Sequence, residues 1–138
     1  MGSGRSVVDL RLRMSTERGS MAALFEAFDA AGVALLGCFG VEDCPDTDHF
    51  FVEDADAAAA AATHARATEV GRSDVLVAPE RGQRAVTELL RRLASNGVSI
   101  DMIATIADGR TVIGIHGDDL ERAIAVAVSD RGSEEDGA

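Results

Sequence analysis

Tryptophan, tyrosine and lysine are absent from the 138 residues, proline and cysteine occur twice each, and the five aromatic residues are all phenylalanine. Without Trp or Tyr there is no stacking platform of the kind that grips single-stranded bases. The thirteen basic residues, all arginine, face 24 acidic ones, and the net charge of −11 repels phosphate backbones and anionic headgroups alike. We therefore expect neither a nucleic acid nor a membrane as partner. No apolar run approaches the ~20 residues of a membrane span. The opening Met-Gly-Ser-Gly-Arg-Ser lacks the hydrophobic core of a signal peptide, so a cytoplasmic protein is expected. Arginine without lysine, together with abundant alanine, points to a GC-rich bacterial genome. Cys38 and Cys44 match neither a CxxC redox pair nor a zinc spacing. They read as two reduced thiols, Cys38 belonging to the core. No metal or cofactor is implied.

What is present is a length of about one domain, with 46% apolar and 27% charged residues, enough for a hydrophobic core without staples. Glu17-Arg18-Gly19 recurs as Glu80-Arg81-Gly82, Gly32-Val33 as Gly97-Val98, and Asp54 as Asp118, at offsets of 63, 65 and 64. Between the first two landmarks, Met21, Leu24, Phe25 and Phe28 form one helical stripe, and Val86, Leu89, Leu90 and Leu93 form the other. Val8, Leu10, Leu12 and Met14 alternate with Asp9, Arg11 and Arg13, a strand with one wet face. Asp74-Val75-Leu76-Val77 takes that place in the second repeat. Each helix is expected to stop at a left-handed glycine, Gly32 or Gly97, ahead of strands at 33–41 and 98–106.

Asp108-Gly109 predicts a two-residue hairpin turn into a strand at 110–116, whereas the first repeat has an acidic loop at 42–48. Second helices start at Asp54 or Asp56 and at Asp118 or Asp119. The order strand, helix, strand, strand, helix, strand is thus read twice, residues 69–77 closing the first unit and opening the second, which lacks a closing strand of its own. The boundaries expected are a flexible tail at 1–6, repeats at 7–73 and 74–128, and a disordered acidic tail at 129–138.

This doubled βαββαβ pattern, with a charged residue and glycine entering the first helix and Gly-Val leaving it, resembles a tandem ACT domain over about residues 7 to 128. The resemblance implies an α/β (α+β) two-layer sandwich of ferredoxin-like units, with an antiparallel sheet covered by helices on one face. The family's Asp-Arg-Pro-Gly entry and Gly-Val-Asn-Ile exit lose their proline and asparagine in both repeats. ACT domains sense small molecules, most often amino acids, between the strand-to-helix loop of one unit and the second-strand start of another. Carried over by position, the resemblance implies a ligand held by Arg18, Gly19 and Ser20, by Arg81, Gly82 and Gln83, and by Ala34, Leu35, Ser99 and Asp101. Independently of family, the free N–H groups and positive end of a helix start favour a carboxylate, and an arginine adds a bidentate contact. Asp101 or Glu80 is placed to receive an ammonium.

His49, His64 and His116 stand at no mutual metal spacing. The run Glu42-Asp43-Cys44-Pro45-Asp46-Thr47-Asp48-His49 holds the carboxylates, thiol and imidazole that a metal or an acid–base pair needs, but reads first as solvated loop. No Walker, Rossmann or nucleophile-elbow motif occurs. We expect a stand-alone, non-enzymatic ACT-type binding and regulatory protein for an amino acid or related carboxylate, assembled as a homodimer through an open strand edge. The alternatives are a small enzyme of specialised metabolism using the cleft between repeats, and an interaction subunit that regulates a partner enzyme.

Overall fold

Alternation along β1 (Val7–Arg13) gives one strand two distinct faces. Val8, Leu10 and Leu12 point into a core that also holds Leu24 and Phe28 of α1 (Ser20–Ala31) and Ala55, Ala58, Ala61 and Ala62 of α2 (Ala55–His64). The computed structural model describes residues 6–41 and 44–137, the side chains of residues 41, 44–46 and 130–137 excepted. The remaining elements are β2 (Leu35–Val41), β3 (Cys44–Val52), β4 (Thr68–Val77), α3 (Gln83–Ser95), β5 (Ile100–Thr105), β6 (Thr111–Ile115) and α4 (Leu120–Gly137). The chain divides into two compact units, Met1–Ser73 and Asp74–Ala138, with β4 passing from one into the other.

In the first unit the strands run in the order β2-β3-β1-β4, with β3 antiparallel to both its neighbours. This is the ferredoxin-like α+β arrangement expected. Phe28 meets Phe50 edge-on at 6.0 Å, and burying two such rings contributes roughly 1.5–3 kcal/mol each. The second unit orders its strands β4-β6-β5, and Leu76, Leu89, Leu93 and Ile113 centre its core. No strand follows β6 among the described residues.

The helix stops match across the units. Gly32 (φ 69°) and Gly97 (φ 73°) are left-handed, and in each unit the next residue donates back five positions, Val33 to Phe28 and Val98 to Leu93. Both close a Schellman motif whose apolar C″ residue packs into or against the core. Both units also carry a bulge at the start of the second strand, at Leu36 and Asp101, an offset of 65 again.

Several expectations change. The run read as an acidic loop is mostly strand: β3 begins at Cys44, Asp48 pairs with Gly40 and Leu12, and His49 lies mid-strand. Of that run, Glu42 and Asp43 and the side chains of residues 44–46 lie outside the description. Pairing with β1 on one side and β2 on the other overrides the weak strand preference of Asp48. The hairpin at Asp108-Gly109 is a three-residue loop, because Gly109 N–H donates to Ile106 O while Ile106 N–H donates to Arg110 O, with Gly109 at φ 89°. Asp9 is not on a wet face; it is 5% exposed. Cys38 is exposed, not core, because it sits on edge strand β2. The backbone of α4 continues through the residues read as an acidic tail, since each residue added to an existing helix gains a hydrogen bond without a new nucleus.

The carboxylate of Asp54 caps α2 by accepting from Ala57 N–H at 3.0 Å. Asp54→Ala should therefore lower stability by about 1 kcal/mol in urea unfolding, with the slope of the transition unchanged.

Candidate functional site

The three helix starts with a described cap fall into two kinds. That of α2 is neutralised by the Asp54 carboxylate and by Asp56 in its first turn. Those of α1 and α3 are glycines with positive φ, Gly19 (88°) and Gly82 (99°), with no side-chain cap and no acid in the first turn. Their outward N–H groups and partial positive charge are left for solvent or a ligand. Neither glycine has an atom within 4 Å of the place where a Cβ would stand, so ligand atoms can reach the backbone there.

At the start of α1 lies an open hollow of about 240 Å³, whose lining includes Arg18, Gly19, Ser20, His64 and Arg66. Ser20 Oγ donates to Glu17 O at 2.7 Å, which fixes the loop. Arg66 was not singled out from the sequence, which has no glycine to mark the end of α2. The structure gives it φ 63°, the one non-glycine positive φ among the described residues. Its N–H donates to Thr63 O and that of Ala67 to Ala62 O, so Arg66 occupies the position that glycine fills after α1 and α3. An arginine there costs of order 1 kcal/mol relative to glycine and places the root of a guanidinium-bearing chain at the cavity. Arg18 and Arg66 against Glu17 give the lining a net positive charge.

The other positions are arranged differently. Arg81 is engaged: its Nε donates to Asp108 O at 3.0 Å. The Asp108 carboxyl is held below the usual range, first by the Arg110 N–H and then by the guanidinium groups of Arg110 and Arg81. Gly82 and Gln83 are exposed beside it. Leu35 packs, partly buried, against the first core. Ser99 is exposed and its carbonyl accepts His116 N–H at 2.9 Å. Asp101 occupies the β5 bulge, its carboxylate over Gly114 and 3.9 Å from His116 Nδ1.

Ala34 lines a second cavity of the first unit, about 710 Å³, bordered by Val8, Glu53, Asp54, Asp56 and Arg72. Here the guanidinium of Arg72 is already shared between Glu69, at 2.7 and 2.9 Å, and Asp56, at 2.9 Å. That larger cavity is acidic and repels a carboxylate; the smaller one attracts it. The seven residues of β1 run between the two cavities, so within this unit the loop positions and Ala34 are some 20 Å apart.

On the sheet face away from α1 and α2, buried Asp9 accepts from His49 Nδ1, which lies 3.0 Å from both carboxylate oxygens, and from Arg11 Nη1 at 3.3 Å. The His49 ring stacks on Phe39 with centroids 4.5 Å apart and planes 3° from parallel, and Arg11 reaches Ser73 Oγ at 3.2 Å. These contacts tie β1, β2, β3 and β4 on one face. Among the described residues no group of three His, Cys, Asp or Glu stands where it can hold a metal, and no helix is long and apolar enough to cross a membrane.

No protein-family model matches the chain, and no curated protein does. Solved structures do resemble it. The regulatory subunit of aspartate kinase from Thermus thermophilus, in its ligand-free form, superposes with a TM-score of 0.62 at 20% identity over 91% of this chain and 92% of that one. The corresponding subunit from Thermus flavus gives 0.58 at 22% over 90% and 92%. A protein of Bacteroides thetaiotaomicron gives 0.67 at 17% over 91% and 88%. The chain has the fold of these proteins.

Arg66→Gly tests the strain at that residue. It should raise stability by about 0.5–1 kcal/mol in denaturant unfolding, by relieving the left-handed conformation. Unchanged stability would show that Arg66 carries no strain.

Proposed function

We propose that this protein is a regulatory subunit of ACT type that binds an amino acid or a related carboxylate at the start of α1 and acts on a separate catalytic partner. The observation that carries the reading is the uncapped, positive start of α1 opening into a cavity bordered by Arg18, Arg66 and His64. A ligand carboxylate takes the free N–H groups beyond Gly19 and a guanidinium, while Glu17 in the same lining offers an acceptor for an ammonium. Ser20 holds the loop in place through Glu17 O. The similarity to aspartate kinase regulatory subunits supports a regulatory role, and the net charge of −11 fits neither nucleic acid nor anionic membrane. In this reading Gly82, Gln83, Ser99 and Asp101 of the second unit are secondary, and Arg81 and Leu35 are structural. The working location is the cytoplasm and the assembly a homodimer.

A thermal-shift screen over the amino acids and related carboxylates should find a ligand that raises the melting temperature. At a hundred times its Kd such a ligand adds about 2.7 kcal/mol. Titration calorimetry with that ligand should give at least a tenfold loss for Gly19→Val and a change within a few-fold for Gly82→Val, because only the first loop borders the cationic cavity. Retained affinity in both variants would remove the loops from the site; a screen with no hit would remove the ligand class.

A further inference from the structure

The apolar side chains lining the hollow at the start of α1 are the methyl groups of Ala23 and Ala65 alone. Small-molecule sites ordinarily hold a ligand's hydrocarbon against larger apolar groups. Here a ligand meets charge instead. Acids outnumber arginines 24 to 13 in this chain, and most of the described arginines are engaged: Arg72 by Glu69 and Asp56, Arg110 by Asp108, Arg122 by Asp119. The side chains of Arg18 and Arg66 have no hydrogen-bond or ion-pair partner among the described residues. Arg13 and Arg84 are also free, but neither borders either of the two hollows described above. Arg18 comes from the loop entering α1 and Arg66 from the turn leaving α2, so two different elements bring their guanidinium groups to one place. Like charges so gathered repel unless anions lie between them, and the lining supplies a single carboxylate, that of Glu17.

We propose, resting on the α1 start as a carboxylate site, that the ligand of this hollow carries a second carboxylate, held by Arg66, and is an acidic amino acid. The first carboxylate takes the helix start and Arg18, the second takes the Arg66 guanidinium in a two-pronged contact, and the ammonium goes to Glu17. The charges then match group by group, two anions to two guanidinium groups and one cation to one carboxylate. A neutral amide of the same size leaves Arg66 without a counter-charge, and an apolar side chain leaves the polar lining desolvated and unpaired. The backbone agrees. Glycine suits φ 63° better than arginine does, and no hydrogen bond or ion pair of the Arg66 side chain offsets that cost within the chain.

Titration calorimetry on the full chain compares L-glutamate with L-glutamine and L-aspartate with L-asparagine, pairs alike in size, α-carboxylate and ammonium that differ in the second charge. At least one acid should bind roughly tenfold or more tighter than its amide, with an advantage that shrinks as salt is raised. Its analogue without the ammonium, glutarate or succinate, should bind more weakly, because Glu17 then faces no cation. Arg66→Gln keeps a long polar side chain in the same left-handed turn and should bring acid and amide to within a few-fold of each other. Arg13→Gln removes the same charge outside the hollow and should leave the preference unchanged. An amide that binds as tightly as its acid, an analogue without ammonium that matches the amino acid, a preference that survives Arg66→Gln or one lost in Arg13→Gln would each overturn the proposal. A ligand with one carboxylate whose affinity collapses in Gly19→Val would overturn it too, while leaving the carboxylate site at α1 standing. If no carboxylate of either kind binds, both fall.

Discussion

The first unit depends on keeping one carboxylate out of water. Asp9 is 5% exposed on the middle of a strand, and an ionised group so placed is tolerable only with charged or strongly polar partners. Its two partners come from different places: Arg11 two residues along β1, and His49 across the ladder on β3. Satisfying Asp9 therefore fixes which residues of β3 oppose β1, and a slip of one residue would turn His49 into the helix-side core and Phe50 out of it. Phe39 lies flat on the imidazole and brings β2 under the same constraint. The hydrophobic side of the sheet and its polar side specify one register.

The helix starts divide the surface by charge. Where a carboxylate caps a helix, at α2, the neighbouring cavity is acidic and its arginine already engaged. Where glycine begins the helix, at α1, the positive end is exposed and the surrounding side chains are basic. The larger hollow is thus the poorer home for an anion.

The left-handed stops at Gly32 and Gly97 and the Asp54 cap are local signals that the structure contains, whereas of the two helical stripes Leu24, Phe28, Leu89 and Leu93 are buried, Val86 and Leu90 partly so, and Met21 and Phe25 exposed. Local reasoning failed where a partner in space decided the outcome. The acidic run before His49 has the composition of a loop, yet β3 begins at Cys44 and Asp48 is paired with both β1 and β2. Asp9 has the pattern of a wet residue, and only the strand beside it supplies the histidine that lets it stay dry. Arg66 left no trace because nothing in its neighbours announces a left-handed conformation. The loop positions around Gly19 were legible from the glycine entering an apolar stripe, but that Arg81 serves a turn and Leu35 a core depended on contacts 27 and 17 residues away.

The buried side of α2 is built from alanines alone, Ala55, Ala58, Ala61 and Ala62, against Leu24, Phe28 and the sheet. Single-base changes in an alanine codon give valine and threonine among their products, and both add bulk and a branch at Cβ that a close-packed seam has no room to admit. The segment of plainest chemistry is consequently among those with the least freedom to drift, and neutral variation in this chain should accumulate on the charged outer face of α3 well before it reaches α2.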